Sequence, residues 1–193
     1  MTYIIKGNWK KGLAFDKHTL SSSYLGVDQF GHDRWENTRT EMGELVYQLK
    51  YHQDEGTVRR IIDLLDRVKG IEEMDRIVPI PPTLRTRPFQ PVRLIAEALG
   101  ERRRVRVIPD LLEKIPGSPQ LKDVEEPRER RNLLQKSMRL SEKRFDISDL
   151  KVLLVDDLFR SGSTLSAATE LLLSQTRVSD VFVLTMTMTR SKR

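Results

Sequence analysis

Two adjacent carboxylates, Asp156 and Asp157, stand between an apolar run and a turn of small hydroxyl residues. The apolar run, residues 152–155, predicts a short strand that is buried on both faces. Residues 161–164 read Ser-Gly-Ser-Thr, and residues 165–173 have the composition of a helix. The sequence therefore predicts a strand with two carboxylates at its carboxyl end, followed by a turn that opens a helix.

This order of residue types suits the binding of a sugar phosphate. In an open α/β sheet, ligands bind beyond the carboxyl ends of the strands. A Ser/Gly/Thr turn that opens a helix offers backbone N–H groups, hydroxyls and a positive dipole end to a phosphate. Two carboxylates suit a polyol or a hydrated Mg²⁺ ion, which takes oxygen ligands and keeps several waters. Phosphate, diol and magnesium together describe a phosphorylated ribose.

The alternative is a strand and a helix whose Asp and Ser residues only cap and turn the chain, as such residues commonly do. Capping does not require an acidic doublet, a glycine and three hydroxyls in this order, so we favour ligand binding. The segment also differs from a P-loop, because it lacks the pattern Gly-x-x-x-x-Gly-Lys-Ser/Thr and its lysine.

A second segment with suitable chemistry follows the predicted strand at residues 77–80. Prolines at the end of that strand favour a rigid loop, and Arg85 and Arg87 lie two positions apart within it. Two such guanidinium groups can hold a diphosphate through charge-assisted hydrogen bonds. Taken alone, the segment is equally compatible with a polar surface loop whose arginines are solvated.

Residues 152–164 resemble the phosphoribosyl pyrophosphate (PRPP) motif of type I phosphoribosyltransferases: an apolar strand, two acidic residues, three variable positions and Thr/Ser-Gly-x-Thr. Over about residues 40–190 the chain resembles the ComF-like family of these enzymes, in Leu49-Lys50-Tyr51 and in residues 78–81, 85–90, 94–96, 119–120 and 128–132. Two features depart from that family. The N-terminal cysteine zinc ribbon is absent from this cysteine-free chain, and the usual Arg-Gly-Phe-Asn is Arg87-Pro88-Phe89-Gln90.

The resemblance implies a Mg²⁺-dependent phosphoribosyltransferase. Such an enzyme moves the 5-phosphoribosyl group of PRPP to a nitrogen acceptor, here a nucleobase by expectation, and releases pyrophosphate. Two other functions stay open: a non-catalytic protein that senses PRPP or nucleotides, and a partner in DNA uptake or processing.

The resemblance also implies roles for individual residues. Asp156 and Asp157 would be catalytic, holding the ribose hydroxyls directly or through water on Mg²⁺. The 5′-phosphate would be bound by Arg160, Ser161, Gly162, Ser163 and Thr164, and the pyrophosphate by Pro82, Thr83, Leu84, Arg85 and Arg87. Similar enzymes that act on 6-oxopurines carry an aspartate at the position of Arg160. Because a guanidinium cannot act as a base at neutral pH, a hypoxanthine or guanine acceptor is disfavoured.

Residues 109–127 have the length and polarity of an active-site lid. Lys114 and Lys122 on this segment are candidates to reach the pyrophosphate, and the alternative is that both are solvated loop lysines. The three histidines, His18, His32 and His52, lie outside the sugar-phosphate motif. We interpret them as surface or packing residues.

The pattern along the chain predicts an α/β fold of the type I phosphoribosyltransferase kind, with a mostly parallel twisted sheet flanked by helices. Residues 1–37 are expected to form an N-terminal hairpin or hood, and residues 38–193 the α/β domain. Apolar spacing predicts helices over residues 38–49 and 58–68, a helix over 92–99 closed by Gly100, and a helix through Leu133, Leu134 and Met138. Strands are predicted at residues 105–108 and 181–187.

The hood carries aromatics that could stack on a base or form a small core, namely Trp9, Phe15, Tyr24, Phe30 and Trp35.

Composition narrows the class of protein. The chain has 193 residues, 38% hydrophobic and 32% charged, with no apolar run long enough to span a membrane. The absence of cysteine and of a signal-peptide pattern leads us to expect a cytoplasmic protein. The net charge of +6 suits an anionic metabolite and permits weak, non-specific nucleic-acid binding. By resemblance we expect a homodimer whose partners are PRPP and a small acceptor.

Overall fold

The computed structural model describes residues 2–82, 89–115, 137–143 and 145–189. Several of the predicted residues lie outside these ranges, so their predicted roles stay predictions. They are the pyrophosphate-binding candidates Thr83, Leu84, Arg85 and Arg87, the lid candidate Lys122, and Leu133 and Leu134 of the predicted helix.

A six-stranded sheet forms the centre of the molecule, with the strand order β1-β2-β10-β9-β5-β6. Only β1 is antiparallel to its neighbour, and the other pairs are parallel. The strands are β1 (Tyr3–Ile4), β2 (Lys11–Lys17), β5 (Arg76–Pro79), β6 (Arg106–Val107), β9 (Lys151–Phe159) and β10 (Asp180–Met188). The predicted α/β class with a mostly parallel sheet is therefore confirmed.

Four helices flank the sheet in the described residues: α1 (Glu41–His52), α2 (Gly56–Leu65), α3 (Pro91–Arg103) and α4 (Ser163–Gln175). Side chains of α1, α2 and α3 form one core with Leu153 and Val155 of β9. Side chains of α4 form a second core with Val152 and Leu154 of the same strand. Successive side chains on a strand point to opposite faces, so the apolar run of β9 supplies both cores in alternation.

The N-terminal residues join this sheet. Tyr3 of β1 pairs with Ala14 of β2 and Ile4 with Leu13, which confirms the predicted antiparallel hairpin. Strand β2 also pairs with β10 in parallel, so residues 2–17 contribute two strands to the main sheet. The division of the chain at residue 37 stays a prediction.

A separate two-stranded ribbon follows, made of β3 (Thr19–Val27) and β4 (Asp33–Arg39). It begins where β2 ends: the backbone N–H of His18 donates to the carbonyl of Met188, the last residue of β10. The ribbon therefore starts at the carboxyl edge of the parallel strands.

Three local predictions are wrong. Helix α3 continues past Gly100 to Arg103 and ends at Arg104, whose φ of 56° is left-handed. Gly100 instead permits close packing, since a Cβ there would lie 2.3 Å from Cγ2 of Val107 and 2.7 Å from the carbonyl oxygen of Val105. Met138 lies in β8 (Met138–Leu140), not in a helix, and pairs with Lys114 of β7 (Leu112–Lys114). The third wrong prediction concerns the end of β9 and is described with the candidate site.

No helix in the described parts of the chain is long and apolar enough to cross a membrane.

Gly43 in the first turn of α1 makes a close backbone contact that leads to a stability prediction. A Cβ at this position would lie 2.1 Å from the carbonyl oxygen of His18, which cannot move as a side-chain end could. We expect Gly43→Ala to lower the free energy of unfolding by about 1–3 kcal/mol, the usual range for an overpacked contact. Urea denaturation measures the change.

The matched control is Gly56→Ala at the exposed start of α2. There the nearest atom to a new Cβ is Oδ1 of the Asp54 side chain, at 3.1 Å. Alanine gains up to about 1 kcal/mol over glycine in a helix, so this variant should be neutral or more stable. Equal losses in the two variants would show that the contact with His18 is not decisive.

Candidate functional site

The acidic doublet lies inside β9, because the strand continues to Phe159. The prediction that the strand ends at the two carboxylates is therefore wrong. Residues 156 and 157 obey the alternation of the strand, so Asp157 lies on the face of Leu153 and Val155, and Asp156 on the face of Val152 and Leu154. The two carboxylates consequently have different surroundings.

Asp157 faces α1 and pairs with Lys50 in the last turn of that helix. The Lys50 Nζ lies 2.5 Å from Asp157 Oδ2, and the Asp157 side chain is only 11% exposed. Burial disfavours the charged form of Lys50, but the Asp157 carboxylate and its hydrogen bond outweigh burial and raise the pKa of Lys50. The half-buried ammonium is thus held in its charged form.

Asp156 faces α4 and the β7–β8 hairpin, and its Oδ1 accepts a hydrogen bond from the backbone N–H of Asp157. Burial and the negative charge of Asp157 raise the pKa of Asp156 to about 8. In the folded protein Asp156 therefore keeps its proton to a higher pH than an ordinary aspartate does.

Lys114, one of the two lid candidates, lies at the end of β7. Burial lowers the pKa of Lys114, while the Asp156 carboxylate acts in the opposite direction, which places these two side chains within electrostatic range. The structure therefore brings Lys114 toward the acidic doublet from the opposite face to Lys50.

The turn after β9 has an open helix end. Gly162 precedes α4 with a φ of 73°, and among the described residues no side-chain hydrogen bond caps the start of the helix. The Oγ atoms of Ser161 and Ser163 lie 2.9 Å apart. Hydroxyls and uncapped N–H groups at a helix N-terminus form a setting for an anion.

Trp9 packs against the residues that flank this turn. Its ring packs against Phe159 edge to face, with centroids 6.3 Å apart, and its Nε1–H donates to the carbonyl of Ile5. A Cβ on Gly162 would lie 2.7 Å from Cε2 of Phe159, so the turn needs glycine for both its φ and its space.

Arg160 is exposed, and within the described residues its side chain makes no hydrogen bond or ion pair. Its guanidinium is therefore available to a ligand. Thr164 lies in the first turn of α4 and is partly buried.

Pro82 is the pyrophosphate-binding candidate that falls within the described residues. It lines a cavity of about 380 Å³ at the carboxyl ends of β5 and β6, beside the start of α3. The cavity is not lined by Asp156 or Asp157. Because β5 and β9 are parallel neighbours, the cavity and the doublet lie side by side at the carboxyl ends of the strands.

Two residues near the doublet are not among the site residues predicted from sequence, and one of them, His18, belongs to the histidines interpreted there as surface or packing residues. Lys50 belongs to a segment that carries the family resemblance, but its partner is 107 positions away along the chain. His18 lies between β2 and β3, and its Nδ1 is 3.2 Å from Oγ1 of Thr187, whose hydroxyl donates to the Asp157 carbonyl. Burial and the Arg39 guanidinium lower the pKa of His18. No local sequence signal identifies either contact, because packing of α1 on the sheet brings Lys50 to Asp157 and pairing of β10 with β2 brings Thr187 to His18.

The proposed hood aromatics fall into two groups. Trp9 and Phe15 are buried in the cores, whereas Tyr24, Phe30 and Trp35 are exposed on the β3–β4 ribbon. The rings of Tyr24 and Trp35 pack together with centroids 5.0 Å apart. Base stacking by this ribbon stays a prediction.

The side chains of the doublet fit part of the coordination of a Mg²⁺ ion. Asp156 and Asp157 offer hard carboxylate oxygens, which Mg²⁺ prefers, but no group of three or more metal-binding side chains occurs in the described residues. Two carboxylates fit an ion that keeps its waters and gains other oxygens from a ligand. They do not form a complete cage.

No protein-family model matches the sequence, and no curated protein matches it significantly. Among solved structures, adenine phosphoribosyltransferase from Thermoanaerobacter pseudethanolicus is similar with a TM-score of 0.45 and 16% identity, covering 86% of this chain and 94% of that one. The Saccharomyces cerevisiae adenine phosphoribosyltransferase gives a TM-score of 0.44, 16% identity and coverage of 86% and 85%. Orotate phosphoribosyltransferase from Aeropyrum pernix gives a TM-score of 0.41 and 16% identity, and the match covers 84% of this chain and 72% of that one. At these TM-scores the similarities support no conclusion about activity.

The raised pKa of Asp156 predicts a pH-dependent effect of its replacement. An unfolded aspartate ionises near pH ~3.9, so between that pH and about 8 the folded state holds a proton that the unfolded state has lost. Because the folded state binds more protons, it becomes less stable as pH rises from about 4 to about 8. Asp156→Asn removes the titrating carboxyl. The variant should therefore be more stable than the wild type at pH 8 in the absence of metal, and this gain should shrink toward pH 4.

Denaturation in the presence of a chelator at pH 5, 6.5 and 8 measures this gain. Glu170→Gln on the exposed side of α4 serves as the control and should parallel the wild type. A gain for Asp156→Asn that does not change with pH would contradict the assignment of the proton to Asp156.

Proposed function

We propose that the protein is a Mg²⁺-dependent phosphoribosyltransferase that moves the 5-phosphoribosyl group of PRPP to a nitrogen acceptor. The observation that carries the proposal is the closeness of two kinds of group on one strand–turn–helix unit. Two carboxylates in β9 and an uncapped N-terminus of α4 are separated by only four residues, 158–161, before Gly162. This unit offers sites for the diol and the 5-phosphate of the same ribose.

In the proposed reaction, the acceptor nitrogen forms a bond to the anomeric carbon while the bond from that carbon to pyrophosphate breaks. The electron pair leaves with pyrophosphate, and the acceptor loses its N–H proton to solvent or to a base. Positive charge develops on the ribose during this step, so negative charge nearby stabilises the transition state. Asp157, which pairs with the Lys50 ammonium, would supply that charge.

The remaining residues would bind and orient. Arg160 and the turn of Ser161, Gly162, Ser163 and Thr164 would hold the 5′-phosphate, with the positive end of α4 behind them. Asp156 and Asp157 would hold the ribose hydroxyls and the waters of Mg²⁺. When bound, the metal would neutralise charge on the leaving pyrophosphate.

The acceptor is proposed to bind under the β3–β4 ribbon, which starts at the carboxyl edge of the sheet and exposes Tyr24 and Trp35. A nitrogen heterocycle could stack on such rings. Because Arg160 cannot take up a proton, we do not expect efficient turnover of hypoxanthine or guanine. The homodimer, the cytoplasmic location and weak binding of nucleic acid are proposed on the sequence arguments alone.

Two arginines of the basic run at residues 102–104 are engaged within the protein. Arg102 forms ion pairs with Asp63 and Asp66, and Arg103 donates to the carbonyls of Leu65 and Val68. These arginines join α3 to α2 and so have a structural role.

The first test of this proposal is binding. PRPP with Mg²⁺ should raise the thermal stability of the protein, by ~2.7 kcal/mol at a hundredfold excess over the dissociation constant. A screen of nucleobases for pyrophosphate release then tests turnover. Stabilisation without pyrophosphate release would favour a PRPP-sensing protein, and indifference to millimolar PRPP and ribose 5-phosphate would exclude both.

Arg160 provides a second test, because within the described residues its side chain makes no hydrogen bond or ion pair that its removal would break. We expect Arg160→Ala to weaken PRPP binding by ~1.5–3 kcal/mol, the range for a hydrogen bond to a charged group, without changing the free energy of unfolding. Titration calorimetry measures the affinity.

The control is Arg177→Ala, another exposed arginine, which lies 3.8 Å from Asp149 near the start of β10. That end of the strand is opposite the proposed site, so PRPP affinity should not change. Equal affinity in both variants and the wild type would remove Arg160 from the phosphate site.

A further inference from the structure

The contact between Lys50 and Asp157 joins an ammonium to the carboxylate that the proposed ligand needs. Nζ of Lys50 and Oδ2 of Asp157 are 2.5 Å apart, and the side chains are 34% and 11% exposed. A ribose hydroxyl or a water on a metal ion would have to approach the same carboxylate. Lys50 and the ligand therefore compete for Asp157.

Lys50 is placed to pair with Asp157. A carboxylate this buried is costly in its charged form without a partner, and among the described residues Lys50 is the cation that pairs with it. Lys50 also lies in the last turn of α1, where the negative end of the helix dipole favours a positive charge. Asp156 and Tyr51 also act on the charge of Lys50, and Lys114 acts on that of Asp156. His18, which is within electrostatic range of Asp157 and Lys50, also faces Arg39 and Glu44.

Lysine is suited to a movable role. Its ammonium is a compact charge with three donors on a flexible four-carbon stem. A third of the Lys50 side chain is exposed, so it can turn toward solvent without unpacking the core. Leu49, the preceding residue, is fully buried and anchors the helix.

We propose that Lys50 is a positioning residue that neutralises Asp157 before the ligand binds and moves to the anionic part of the ligand when Asp157 takes up a hydroxyl or a hydrated cation. This inference rests on the proposed function. It gives Lys50 opposite effects on two ligands: its charge opposes binding of a cation at the doublet and favours binding of pyrophosphate beside it. A residue that only supports the fold would affect both ligands in the same direction.

The experiment uses Lys50→Met and measures two ligands separately. Mn²⁺ alone, as a paramagnetic substitute for Mg²⁺, is titrated by water-proton relaxation, and metal-free pyrophosphate is titrated by calorimetry. We expect the affinity for Mn²⁺ to rise about tenfold, because a competing charge is gone, which corresponds to ~1.4 kcal/mol. We expect the affinity for pyrophosphate to fall about tenfold, because a charged donor is lost.

Two further variants act as controls. Lys50→Arg keeps the positive charge and should restore both affinities toward the wild-type values. Lys10→Met removes a similar ion pair, in which Lys10 Nζ lies 2.7 Å from Asp180 Oδ2. Asp180 begins β10, so this pair lies at the amino ends of the parallel strands, away from the doublet. This variant should change neither affinity. If Lys50→Met does not fold, Lys50→Gln replaces it and carries the same expectations.

The outcomes separate this inference from the proposed function. A wild-type protein that binds PRPP, with a Lys50 variant that weakens both test ligands or changes neither, would overturn the role of Lys50 and leave the proposed function standing. A wild-type protein that binds none of Mn²⁺, pyrophosphate and PRPP would overturn both.

Discussion

The pleat of β9 is the constraint on which the rest of the site depends. Because the strand runs unbroken to Phe159, adjacent residues must face opposite sides of the sheet. Side chains of residues 152–155 therefore point alternately into the two hydrophobic cores. Asp156 and Asp157 continue this alternation at the candidate site. The acidic doublet is adjacent in sequence but divided in space, with one carboxylate toward α1 and the other toward α4 and the β7–β8 hairpin.

This division gives the two carboxylates different charge states. Asp157 meets a cation supplied by α1, so its negative charge is compensated inside the protein. Asp156 meets Lys114 only at longer range and suffers both burial and the charge of Asp157, which raise its pKa to about 8. The arrangement costs stability, since a carboxyl is held away from its preferred ionised state. Such costs are typical of functional sites, where charges are arranged for a ligand and not for the folded protein alone.

Much of the fold was predictable because its signals are local. The apolar spacing of Met42, Leu45, Val46 and Leu49 predicts α1, and the run at residues 152–155 predicts the centre of β9. The errors have physical causes. Gly100 signals a helix end in sequence, but its contact with Val107 needs a glycine inside the helix. The two aspartates suggest the end of a strand, yet pairing with β10 carries β9 through them. The contact of Lys50 arises when α1 packs on the sheet, and the contact of His18 arises when β2 and β10 pair, so no local pattern reveals them.

The two aspartates would give a metal ion only part of its coordination. In the described residues no group of three or more metal-binding side chains occurs. If Mg²⁺ binds here as we propose, water and the oxygens of the phosphorylated ligand would complete its coordination, because Mg²⁺ keeps several waters and binds substrate phosphates. In the structure the Lys50 ammonium of α1 pairs with Asp157. Under the proposed function, an ammonium on a flexible side chain can leave Asp157 when the ligand and its metal bind.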